Sequence, residues 1–321
     1  MRLLISNRPT TEARATRGPL AALEGWRSIA QLVLAAACWG LGTVVSKQAV
    51  AELPPLTLLF IQLAVSVATL GLVLRLRGER PPGGREGTLL ARLGLLNPGL
   101  AYAVSLVGLT TITASLAVLL WAFEPILILA LAAVVLGDRI GPGIVGLSLA
   151  AVAGLLLVLF DPAAAGSPLG IALTLAGVAA CAVYTVATRT WLLGADSTFG
   201  VVFAQQAHAL LLSLALLALV AVSGNAVLPA QLTSAGVVSA VASGLLYYAL
   251  AYSFYLSALR VTRASIAAAS FYLIPVFGLA GGWVIGERLG IQQWIGAAVV
   301  VVAVAAITVR ARPQIAASTL Q

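Results

Sequence analysis

Charge is what this sequence has least of: charged residues make up 9% of its 321 residues, hydrophobic ones make up 61%, and the mean hydropathy is +1.07. Soluble domains carry about 25% charged residues. So few polar side chains cannot clothe a water-facing surface, which excludes an ordinary soluble domain and makes lipid the solvent for most of the exterior. Cysteine is nearly absent as well. The two present, Cys38 and Cys181, both lie in apolar runs, so they read as buried thiols and exclude a disulfide framework. The single histidine, His208, cannot build a metal cage by itself. No HExxH and no GxxxxGK[ST] pattern occurs, so neither zinc hydrolysis nor P-loop nucleotide chemistry is expected. No metal and no cofactor are expected.

The formal charge is +8 and the pI is near 10.2. Nucleic-acid binding would need Lys and Arg gathered on one soluble face. Here they fill short gaps between apolar runs, so no nucleic-acid partner is expected. Residues 1–27 hold Arg2, Arg8, Arg14, Arg17 and Arg27, and the apolar stretch near Leu3 is too short for a signal-peptide core. This segment is expected to be a disordered basic tail, with a second short tail at 311–321.

A helix needs about 20 residues to cross a hydrocarbon core of roughly 30 Å. Cutting the apolar runs at charges, Pro and Gly places spans near 28–50, 56–76, 88–109, 112–136, 142–161, 168–190, 198–222, 233–258, 263–285 and 290–310. The cut at Thr110 and Thr111 is forced by length, because Leu93 to Gly137 contains one charge, Glu124, and is about twice one span. The charge-free run from Ser197 to Leu259 divides at Gly224, Asn225 and Pro229. Ten spans put both termini on one side. Sixteen basic residues then fall on that side and only Lys47 and Arg288 on the other, so both termini are expected in the cytoplasm.

The two halves echo each other. Residues 101–125 match residues 251–275 at eight of 25 positions without a gap, pairing Tyr102 with Tyr252, Ser115 with Ser265 and Pro125 with Pro275. Gly137-Asp138-Arg139 answers Gly286-Glu287-Arg288, Lys47 answers Arg189, and Phe60 and Gln62 answer Phe203 and Gln205. Five spans per half is odd, so the halves must run in opposite senses across the bilayer. The expected fold is an all-α membrane protein of ten transmembrane helices in two inverted five-helix repeats, 28–161 and 168–310.

On these residues the chain resembles the drug/metabolite transporter superfamily, in particular its ten-helix EamA-type permeases. The resemblance covers about residues 28–310 and rests on Trp39-Gly40, Pro125, Pro275 and the two Gly-acid-Arg closings. It implies export or exchange of small metabolites through a central cavity lined by helices one to four and six to nine, in a bacterial inner membrane. Gln62 stands where many relatives carry Arg, and Asp138 where Glu is commoner.

Among candidate residues Glu124 is the sharpest, because an acid at a helix centre costs about 2.5 to 3.5 kcal/mol on insertion scales and is usually functional or paired. It adjoins Pro125, whose missing N–H opens the helix, and its repeat partner is Ile274. A carboxyl there can take a proton on one side and release it on the other, so it is the candidate for proton coupling. The expected substrate pathway comprises Trp39, Gln62, Asn97, Tyr102, Trp121, Gln205, His208, Tyr252 and Tyr272, and the expected helix breaks are Pro98, Pro125 and Pro275. Packing and helix-to-helix hydrogen bonds are the competing roles for the aromatics and amides. Asn97-Pro98-Gly99 reads as either an unwound segment or a kink. Lys47 snorkels to the interface, and Arg75 to Arg92 meet anionic headgroups.

The expected function is a secondary transporter, exporting small metabolites such as amino acids or related compounds by alternating access with proton coupling. Its partners are a small-molecule substrate and the lipid bilayer. A channel-like permease is the alternative. An intramembrane enzyme is disfavoured because Glu124 has no second intramembrane carboxylate. The Gly-rich segment 142–161 leaves pairing within one subunit or as a homodimer open.

Overall fold

The computed structural model describes residues 11–109, 111–112, 120–121, 123–138, 140–159, 167–224, 226–228, 233–284, 286 and 290–318. The regular elements among them are helical. In the first half, α1 (Thr11–Glu52) and α2 (Pro55–Arg77) precede α3 (Gly84–Gly94), a widened π turn (Leu95–Leu100) and α4 (Ala101–Leu109), followed by α5 (Glu124–Val135) and α6 (Pro142–Leu159). The second half holds α7 (Pro168–Leu192), α8 (Thr198–Val222), α9 (Ser234–Ser243), another widened turn (Gly244–Leu250) and α10 (Ala251–Val261). It ends with α11 (Ala264–Ala269), a 3-10 turn (Ser270–Tyr272), α12 (Leu273–Val284) and α13 (Ile291–Ser318).

Seven stretches are long and apolar enough to cross a membrane: Gly25–Ser46, Pro55–Arg77, Pro168–Leu192, Thr198–Val222, Ser234–Val261, Ala264–Val284 and Ile291–Arg310. The third, fourth and fifth of the ten expected positions are held by α3 with α4, by α5, and by α6. The helix of α1 begins at Thr11, running through the segment expected as a tail, and α13 continues to Ser318, past the expected span end at 310.

Local sequence explains the boundaries. Three helices follow a hydroxyl residue whose side chain accepts an otherwise unpaired N–H. Ser167 accepts from Gly170 at 3.0 Å, Ser197 from Gly200 at 2.9 Å and Thr233 from Gly236 at 3.0 Å. Proline opens α2 and α7, where its lack of an N–H costs nothing. Gly78 ends α2 with φ of 66°, a left-handed conformation that suits glycine.

Packing exchanges the halves. α1 packs on α10 and α12, while α7 packs on α4 and α5, its counterparts in the other half; α2 lies on α8, and α6 on α13. A two-fold exchange of repeats maps this set of pairs onto itself, and five helices per half make the exchange an inversion across the bilayer. The main core joins α1, α2, α7, α8 and α10, and a separate cluster joins α6 and α13 to Ala36, Tyr272 and Leu273. The Gly-rich 142–161 segment is used within the chain: a Cβ on Gly154 would lie 2.9 Å from the Gly296 carbonyl, so the two helices touch through bare backbone.

Candidate functional site

The two widened turns occupy equivalent places in the two repeats and face each other across side-chain contacts. A π turn leaves carbonyls without their usual intrahelical partner and opens the helix on one side. In the first, Asn97 leaves helical geometry altogether (φ −145°, ψ 125°) beside Pro98. The second contains no proline. At the entrance of each is a glycine, Gly94 just before the first turn and Gly244 opening the second, pressed onto the backbone of a glutamine in the other half. A Cβ on Gly94 would overlap the Gln205 carbonyl, and one on Gly244 would lie 2.9 Å from the Gln62 carbonyl.

Tyrosine hydroxyls tie the turns together. Tyr252 donates to Asn97 Oδ1 at 3.1 Å, and the Tyr102 and Tyr247 hydroxyls lie 3.2 Å apart. These bonds are repeat images of each other, since Tyr102 answers Tyr252 and Asn97 answers Tyr247 at the same offset. Around them runs a continuous aromatic network. Tyr102 stacks on Trp121 at 5.7 Å and meets Tyr248 edge-on at 6.0 Å; Tyr248 stacks on Tyr252 at 6.3 Å. Trp39 packs edge-on against Tyr252, Tyr255 and Phe271 at 5.3 to 5.4 Å. Such offset and edge-to-face contacts are the favourable aromatic geometries. Trp39 is buried and its indole N–H has no hydrogen-bond partner among the described residues. Gly40 beside it lets α1 touch α12, for a Cβ there would sit 2.5 Å from the Ile274 carbonyl.

Glu124 is the first residue of α5, where peptide dipoles favour an anion. Its carboxyl is within electrostatic reach of Cys181, Tyr247 and Tyr255. It makes no hydrogen bond or ion pair among the described residues, and it is only half-buried although helices surround it. Tyr102, Trp121, Tyr247 and Phe271 are half-buried in the same way. Glu124 and these rings thus keep part of their surface uncovered, whereas Trp39, Tyr248, Tyr252 and Tyr255 are buried.

The amides are engaged in bracing. Gln62 Nε2 donates to Ser243 Oγ at 2.8 Å, while Gln205 Nε2 donates to the Leu90 carbonyl at 3.0 Å and its Oε1 accepts from Tyr184 at 2.8 Å. Gln206 donates at 2.9 Å to the Tyr248 carbonyl within the second widened turn. His208 is half-buried with Nδ1 2.8 Å from the Ala204 carbonyl of its own helix. Tyr272 lies in the α6 and α13 cluster. Pro125 and Pro275 each fall within the first turn of a helix, α5 and α12, that restarts after a break. Asp138 accepts from the Ser265 backbone N–H and hydroxyl at 3.2 and 2.6 Å, and Arg189 donates to the Thr262 carbonyl at 3.1 Å. Thr110, Ser115, Arg139, Asn225, Pro229, Glu287 and Arg288 lie outside the described residues, as does the side chain of Lys47.

Tyr184, Tyr247, Tyr248 and Tyr255 were not singled out from sequence. A signal for the second and third existed: they sit at the repeat offset of Asn97 and Pro98. No metal-ligating cluster occurs among the described residues.

The profile of the EamA-like transporter family matches residues 26–160 and again 168–309. A crystal structure sharing 20% sequence identity superposes with a TM-score of 0.73, covering 90% of this chain and 98% of its own, which shows the fold alone. No curated protein matches the chain significantly.

Proposed function

The chain belongs to the EamA-like transporter family, an integral membrane family that moves small molecules rather than transforming them, and from that premise we propose that it exports small metabolites by alternating access. The observation that supports this is the pair of widened turns, one per repeat, facing each other and joined by the Tyr252–Asn97 and Tyr102–Tyr247 contacts. Discontinuous helices at the interface of inverted repeats are where carriers bind solute. The repeats 28–161 and 168–310 are the bodies that rock around this centre. Both termini face the cytoplasm of a bacterial inner membrane, as the distribution of arginine argues. Trp39, Asn97, Tyr102, Trp121 and Tyr252 form the pathway, and amino acids or related compounds are the substrates. Glu124 couples transport to the proton, because a lone interior carboxyl exchanges its proton as access alternates.

The test is solute release from proteoliposomes loaded with a metabolite extract, read by mass spectrometry with and without an imposed pH gradient. A defined solute set is expected to leave faster with the gradient in the wild-type protein, and Glu124→Gln is expected to abolish that acceleration. Release that does not saturate and shows no countertransport would mark a pore instead. Release equal to protein-free liposomes would remove the carrier reading.

A further inference from the structure

Where α3 and the first widened turn meet the end of α7, the surface holds a hollow of about 410 Å³, within the roughly 300 to 1,000 Å³ of small-molecule sites. Its walls are leucine: Leu89 and Leu93 from α3, and Leu95, Leu96 and Leu100 from the turn. Leu89, Leu95 and Leu100 are exposed, so the hollow opens outward, while Asn97, Pro98 and Gly99 of the same turn are buried. Leu89, Leu93 and Leu96 follow the i, i+4, i+7 spacing of one helix face, so the hollow runs along the helix. At about 1.5 Å per residue, Leu89 to Leu100 spans about 16 Å, close to one leaflet of a hydrocarbon core roughly 30 Å thick. Its shape and lining suit an extended alkyl chain.

Two members of the lining are not aliphatic, Arg92 and Trp191. Arg92 is exposed and has no hydrogen bond or ion pair among the described residues. Its neighbours at this end of the spans are engaged: Arg77 by Glu79 and the Phe199 ring, Arg189 by the Thr262 carbonyl. Arg92 stands about one turn inside the end of its span where the arginines gather, and Trp191 is the last residue but one of α7. Tryptophan settles at the level of lipid headgroups, and an arginine near a span end extends to the same level. A guanidinium there grips a phosphate through two parallel hydrogen bonds. No lining residue is acidic, so the ammonium of a zwitterionic headgroup would find no partner in the hollow.

We propose that this hollow binds one anionic phospholipid of the cytoplasmic leaflet, with its phosphate on Arg92 beside Trp191 and one acyl chain along the leucines of α3 and the first widened turn. The site is separate from the transport pathway and rests only on the membrane topology argued above. Charge complementarity selects the headgroup, and the leucine walls require that the phosphate arrive attached to a chain.

The test is native mass spectrometry of the purified full-length protein in detergent, titrated with phosphatidylglycerol and, separately, with phosphatidylcholine carrying the same chains. One phosphatidylglycerol per chain is expected to bind about fivefold more tightly than phosphatidylcholine, the effect of one basic residue at an anionic surface. Arg92→Gln is expected to erase that preference and Arg92→Lys to keep part of it. Leu89→Trp, which fills the hollow from its exposed wall, is expected to weaken both lipids severalfold. Arg75→Gln, on the exposed end of α2, is expected to change neither. Glycerophosphoglycerol, the headgroup without its chains, is expected to leave the lipid bound. Equal affinity for the two lipids, a preference that survives Arg92→Gln, or an equal loss in Arg75→Gln overturns the proposal. Displacement by the chainless headgroup, or a dimer that excludes lipid, overturns it too by giving the hollow another occupant. Solute release is not read, so the transport reading stands or falls separately.

Discussion

The two widened turns, Leu95–Leu100 and Gly244–Leu250, occupy the same place in the two repeats and have different sequences. The first contains Asn97-Pro98-Gly99, residues that break a helix by themselves. The second reads GLLYYAL and has no such residue after its opening glycine. Proline is therefore not what the architecture requires. Common to both is a glycine at the entrance, Gly94 just before the first turn or Gly244 opening the second, laid on the backbone of a glutamine from the opposite half, and an amide that braces the crossing. Close approach of backbones sets the turn, and the local sequence then fills it: Asn97 supplies an acceptor in one half, Tyr247 a hydroxyl in the other.

The strongest way to break this comparison is to remove the close approach. Gly94→Ala forces a methyl onto the Gln205 backbone, which cannot rotate away, and is expected to cost about 3 kcal/mol, at the upper end for overpacking. Gly244→Ala meets Gln62 and Val65 at 2.9 to 3.1 Å and is expected to cost about 1 kcal/mol. Melting temperatures in one detergent would check the order, and equal losses would deny that backbone approach controls the turns.

Next in size are the braces. Gln205→Leu strips partners from the buried Tyr184 hydroxyl and the Leu90 carbonyl, an expected loss of about 2 kcal/mol for unpaired buried groups. Gln62→Leu leaves Ser243 still bonded to the Ala240 carbonyl, so about 1 kcal/mol is expected. A reversed order in denaturant titration would mean that the amides serve the pathway more than the packing.

The smallest effect lies in the loops that link the halves outside the spans. Glu79 accepts from the Ser197 hydroxyl and pairs with Arg77, and these partners hold its carboxyl below the usual range. Its contribution is thus complete above the unfolded carboxyl value of about 4.3 and is lost as pH falls through the lower folded value. Glu79→Gln should lower the melting temperature slightly at pH 7 and not at pH 3; a gap that persisted in acid would rule out the charge as its cause.

Much of the fold was legible because lipid imposes a length and forbids exposed charge, so ten apolar runs and the placement of arginine are written directly into composition. The repeat was legible through Tyr102, Pro125 and their partners. Glu124 stood out for the same reason, as the acid in a run that otherwise has none. Gln62 and Gln205 were legible as a polar pair, but not their engagement in bracing, because that depends on which helix meets them.

The sequence by itself determined a ten-helix membrane protein built of inverted halves, with one carboxyl set deep inside. Only the tertiary structure decided which side chains share a site. It brought Tyr247 and Tyr248 onto Tyr102 and Tyr252 onto Asn97, and it put Glu124 beside Cys181 and Tyr255. The physical reason lies in the solvent. A helix in water shows its inner face as an apolar stripe, whereas in lipid the outer face is as apolar as the inner one. Hydrophobic periodicity then no longer tells which way a residue points, and only the packing of one half against the other does.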